Sequence, residues 1–129
     1  IIYENKNFPK LNVNPTNIEF IKRAMFSVVN ESTGTAFNSR IYGSKKMAGK
    51  TGTSQVRRIS LEERERENGV IKNEDLLYKL RDHSIFTCFA PFNDPRFVLS
   101  VVAEHMGSGS KVAAPIAKRI MKLALEKYY

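Results

Sequence analysis

The sequence predicts an α+β domain in which an antiparallel sheet carries helices on both faces. Three observations lead there. Two apolar runs, SIFTCFAPF at 84–92 and FVLSVVAE at 97–104, flank the turn residues Asn93-Asp94-Pro95-Arg96 and read as an antiparallel hairpin. Apolar residues recur at helical spacing towards both ends of the chain. Between them, MAGKTGTSQV at 47–56 combines β-branched residues with glycine, which favours an extended strand open to close approach.

In chain order, residues 1–15 lack periodicity and form an irregular lead-in. Thr16 and Glu19 have capping-box spacing, and Ile18, Ile21, Met25 and Val28 or Val29 place a helix up to about residue 30 with one buried side. Gly34 breaks it, and GTAFNSRIYGS forms a loop or short strand. Residues 57–83 are a charged insertion between two strands. Ser60 and Glu63 open a solvated, salt-bridged helix there, and Leu76, Leu77 and Leu80 suggest a short helix docking by its leucines. The hairpin strands do not alternate cleanly with polar residues, so both are expected to be central and covered on both faces. After HMGSGS, Ile116, Ile120, Leu123 and Lys127 align on one side of a helix over 113–127 that should pack on the sheet.

Composition narrows the function. A chain of 129 residues suits one domain, and its 42% hydrophobic and 26% charged residues argue against disorder. The single cysteine, Cys88, excludes an internal disulfide or a cysteine zinc cluster, and its apolar surroundings mark a core residue rather than a nucleophile. The net charge of +8 permits an anionic partner. The basic residues are scattered, however, without an RNP-type aromatic motif or zinc-finger spacing, so no nucleic acid partner is expected. No apolar run is long enough to span a bilayer, so any membrane anchor would lie outside this chain. The opening IIYENKNFPK, without an initiating Met, suggests a piece of something longer.

The chemistry turns on residues 49–53. Gly49-Lys50-Thr51 resembles the end of a phosphate-binding loop, but that motif needs a glycine where Ser44 stands and a helix where TGTSQV follows. The strand reading remains: Lys50 on a threonine-rich edge strand suits a carboxylate. Nothing in the chain identifies a nucleophile. Ser108 and Lys111 satisfy S-x-x-K formally but belong to a glycine-rich turn, and no S-x-N triplet occurs. Asp82-His83 and His105 are expected to be structural, with no metal.

GTA at 34–36, MAGKTGTSQV, LRDH at 80–83, FAPFNDP at 89–95 and the glycine-rich turn before the last helix together resemble the C-terminal part of the transpeptidase domain of class B penicillin-binding proteins. The long charged insertion and LRDH are similar to the elongation-type members. The resemblance covers nearly all the chain beyond residue 10, and makes residues 1–129 part of one transpeptidase domain with three of the five strands of the β-lactamase-like fold. It implies a serine D,D-transpeptidase that cross-links peptidoglycan stem peptides during cell-wall elongation, binds β-lactams, needs no cofactor and works at the periplasmic face of the bacterial inner membrane. Lys50 would supply positive charge, the Thr51 and Thr53 hydroxyls would bind the substrate carboxylate, Gly52 would keep the strand open, and the Thr53 amide would be an oxyanion donor. Lacking the nucleophile motif, the chain alone should be inactive. Its unpaired apolar strand, 97–104, should promote self-association. A D,D-carboxypeptidase or a β-lactamase shares the Lys-Thr-Gly triplet, but FAPFNDP and the charged insertion argue against both. The alternative of another class is a basic nucleic-acid-binding module.

Overall fold

The computed structural model describes residues 11–129. Helix α1 spans Pro15–Asn30, strand β1 Ala48–Ser54, helix α2 Leu61–Arg64, strand β2 His83–Ala90, strand β3 Phe97–Ala103 and helix α3 Ala113–Tyr128. The strands form an antiparallel sheet ordered β1-β2-β3. The predicted lead-in lies mostly outside the described residues.

Helix α1 starts two residues earlier than the capping box predicts. Pro15 presets the backbone of the first turn, and Asn14 Oδ1 accepts from the Thr16 amide at 2.9 Å. Glu19 instead bridges outward to Lys22 and Arg23. Val29 is buried at the C-terminal end, whereas Ile18 and Ile21 are exposed, so the predicted apolar face is covered only in its second half.

The core lies between the sheet and α3. Ser84, Phe86, Cys88 and Ala90 point alternately from β2 into it, because a strand repeats every two residues. Helix α3 meets them with Ala113, Ala114, Ala117, Met121 and Leu125, all buried. The predicted row of Ile116, Ile120 and Leu123 is instead 40–66% exposed. Alanines let the helix axis approach the strands closely, a packing reason that a pattern weighted by large aliphatic residues does not reveal. Each large side chain fully buried here, Phe86 and Met121 among them, contributes about 1.5–3 kcal/mol.

On the opposite face, Lys22 and Met25 of α1 look across a groove to Phe89 and Val98. Helices therefore lie on both faces, but the second is only partly covered: Val98 and Val102 are 77% and 62% exposed. The expectation that both hairpin strands are central is corrected. Among the described residues only β2 has two neighbours, and β3 alternates half-buried and exposed positions along its length.

The insertion also departs from expectation. Its capped helix is a single turn, with the Glu63 amide donating to Ser60 Oγ at 3.2 Å. Glu63 is buried rather than solvated: Arg57 grips its carboxylate at 2.6 and 2.5 Å, and the Ile71 amide donates to it at 3.1 Å. No leucine-docked helix forms. Residues 73–75 and 78–80 make isolated 3₁₀ turns, and Leu77 is 77% exposed. Among the described residues no helix is long and apolar enough to cross a membrane.

Candidate active-site strand

Strand β1 leaves the core as it runs: Met47, Ala48 and Gly49 are buried, Thr51 and Gly52 half-buried, Lys50 and Thr53 exposed. Its first residues are held at both sides. Asn30 Nδ2 donates to Met47 O at 2.8 Å from the end of α1, and the Phe92 amide donates to Lys46 O at 2.8 Å. The rest of the strand pairs with β2 alone, leaving its other edge free among the described residues. A strand, not a helix, follows Lys50, which removes the phosphate-loop reading.

Residues opposite one another in the sheet share a face. Lys50 pairs with Thr87, which pairs with Ser100, and these two hydroxyls bond at 2.8 Å on the face away from α3. Thr51 pairs with Phe86 and so turns to the α3 face, where its hydroxyl lies 3.0 Å from that of Thr35. The Lys50 ammonium donates to the Thr51 carbonyl at 2.7 Å. Successive residues of a strand aim their backbone groups to alternate sides, so the Thr53 amide points the same way as the Thr51 carbonyl that Lys50 engages. Anything lying along this edge meets an ammonium from one face, hydroxyls from the other and a backbone N–H.

The turn before α3 crosses the strand. Gly109 lies so close to it that an added Cβ would overlap the carbonyls of Gly52 and Ile85. Ser84, fully buried, staples the turn by donating to Ser108 O at 2.9 Å and accepting from the Ala113 amide at 3.0 Å. Ser108 is thus a turn residue whose own hydroxyl meets Ser110 at 2.9 Å. Sequence reasoning assigned nothing to Ser84, which stands at the head of an apolar run like any strand residue.

His83 and His105, distant in sequence, are in contact, with ring centroids 4.6 Å apart. His83 Nδ1 accepts from the His105 amide at 2.9 Å, and His105, at φ 58°, places Nδ1 3.1 Å from Arg81 O. Asn73 bonds both the amide and the carboxylate of Asp82. These groups tie the insertion to the sheet. Cys88 is buried, and that burial pushes its thiol up to about 12, far from a nucleophile's range.

Residues 2–122, which include this edge strand, the hairpin behind it and most of α3, match a known family: the penicillin binding protein transpeptidase domain. The chain belongs to that family. It is 36% identical over 127 residues to the peptidoglycan D,D-transpeptidase MrdA of Haemophilus influenzae, covering 98% of this chain and 18% of the relative. To its Escherichia coli K12 counterpart it is 34% identical over 94 residues, covering 73% and 14%. Among solved structures, penicillin-binding protein 2 of Helicobacter pylori in complex with MreC superposes with a TM-score of 0.70 at 27% identity over 97% of this chain and 21% of that one. The same protein of Pseudomonas aeruginosa, in complex with WCK 5153, gives 0.64 at 31% identity over 89% and 20%. The chain thus spans 14–21% of the length of these relatives.

Proposed function

We propose that this chain supplies the carboxylate-binding wall of a serine D,D-transpeptidase that cross-links peptidoglycan stem peptides during cell elongation. The observation that carries the reading is the free edge of β1, flanked by the Lys50 ammonium on one face and the Thr51 hydroxyl on the other. A D-alanyl-D-alanine terminus laid along it would place its carboxylate against Lys50, Thr51 and Thr53. In acyl transfer a serine attacks the penultimate carbonyl, negative charge develops on that oxygen, and a preorganised backbone N–H stabilises it. The Thr53 amide has that role here, and Gly52 leaves room for the substrate backbone. The terminal D-alanine departs, and an amine of a neighbouring stem peptide takes the acyl group.

The serine and its lysine come from outside this chain, so the chain alone forms no acyl-enzyme. β-Lactams, which carry a carboxylate beside their reactive carbonyl, engage the same wall. The reading sets the protein at the periplasmic face of the inner membrane, anchored by a segment outside this chain.

Its test is the acylation rate of the complete transpeptidase with a fluorescent penicillin. Lys50→Ala is expected to lower that rate about a hundredfold, the scale lost when one electrostatic contact to the reacting complex is removed. An unchanged rate in a folded variant contradicts the reading. Intact-mass measurement of the isolated chain after excess penicillin should show no adduct, and a stoichiometric adduct would place a nucleophile within these residues.

A further inference from the structure

We infer that Thr35 is a positioning residue for the Thr51 hydroxyl, completing a hydrogen-bond chain that ends on the substrate carboxylate. The inference rests on the reading of Thr51 given above and adds to it a residue from a different part of the fold.

The segment Gly34-Thr35-Ala36 follows α1, and packing accounts for two of its three residues. A Cβ on Gly34 would overlap the carbonyls of Ser27 and Val28, so the turn can press against the helix end only with glycine. Ala36 is 1% exposed, and its amide donates to Val28 O at 3.0 Å. The Phe37 amide donates to Gly34 O at 3.1 Å, which closes the turn. Thr35, held between two fixed neighbours, is exposed. Its hydroxyl lies 3.0 Å from that of Thr51, sixteen residues on.

An exposed hydroxyl pair adds little to stability, because water replaces each bond when the other partner is removed. The fold therefore does not need Thr35. The chemistry of Thr51 does. Its hydroxyl has one proton and two lone pairs, and binding a carboxylate uses the proton. A neighbour that donates to Thr51 fixes its rotamer and leaves that proton free for the ligand. In the series Thr35 to Thr51 to carboxylate each bond polarises the next. Either hydroxyl can donate when the site is empty; a bound anion, which can only accept, selects this direction.

The experiment compares acylation of the complete transpeptidase by a penicillin with a free carboxylate and by its methyl ester. Thr35→Val, which keeps the shape and removes the hydroxyl, is expected to slow the free acid about tenfold, the loss of one charge-assisted bond's support. It should leave the slower rate with the ester within about twofold, and the melting temperature within about 2 °C. Thr35→Ser should restore the free-acid rate. A wild-type rate for Thr35→Val beside a slowed Thr51→Val overturns the role of Thr35 and leaves that of Thr51 standing. A wild-type rate for Thr51→Val overturns both. Equal slowing of acid and ester by Thr35→Val also overturns the inference, since the effect would not pass through the carboxylate.

Discussion

The buried hydroxyl of Ser84 accepts from the amide of Ala113 at 3.0 Å, and Ser84 stands opposite Thr53 in the sheet. One side chain thus joins the first turn of α3 to the strand pair that presents the candidate site. Because the same hydroxyl donates to Ser108 O, the turn carrying Gly109 cannot lift from Gly52 without breaking both bonds.

Removing that staple should be felt in stability. Ser84→Ala leaves the Ala113 amide unpaired in the interior, while Ser108 O keeps the Lys111 and Val112 amides, at a cost of about 1–3 kcal/mol. Gly109→Ala should cost more, because the overlap is with two backbone carbonyls that have no flexible end to move aside. Urea unfolding of both variants measures the order; a Gly109→Ala variant as stable as the parent would show that the turn is loosely seated.

Acid should release the insertion late. Arg57, bonding both carboxylate oxygens, holds Glu63 down to about 2, against the opposing effect of burial and with help from the Ile71 amide. A carboxylate whose folded pKa lies below its unfolded value near 4.5 stabilises fully above that value. The stabilisation declines as pH falls from about 4.5 and is gone once pH passes about 2. The Ile71 amide shift, followed by NMR, should therefore titrate near 2, and Glu63→Gln should flatten the stability profile across this window. A midpoint near 4.5 would mean that the ion pair does not hold in solution.

The outer edge of β3, free among the described residues, predicts association of the isolated chain. Val98 and Val102 are exposed beside a row of backbone groups that no described strand pairs, which invites pairing with a second copy. Light scattering should show a concentration-dependent rise in mass, and Val98→Lys should suppress it. A monomer at high concentration counts against this.

The parts legible in the sequence are those with a local cause. Periodicity located α1 and α3, turn chemistry at 93–96 located the β2–β3 hairpin, and the threonines at 51 and 53 with the glycines beside them located β1. The buried row of α3 escapes the apolar pattern because Ala117 matters through the closeness it allows, not through its own hydrophobicity. The leucines at 76–80 look like a helix face, but here Arg81 caps the Leu76 carbonyl at 3.1 Å and the chain stays in short turns. Lys50 and Thr51 announce themselves as a motif. Thr35, Ser84 and Gly109 acquire meaning only when residues far apart in sequence meet, and no local pattern encodes that meeting.

A crystal structure of the complete transpeptidase acylated by a penicillin would reveal whether β1 is the carboxylate-binding wall. The antibiotic's carboxylate is expected within hydrogen-bond distance of the Thr51 and Thr53 hydroxyls and close to Lys50, with the acyl oxygen on the Thr53 amide. A carboxylate bound away from β1, or an acyl oxygen that does not meet Thr53, would contradict it.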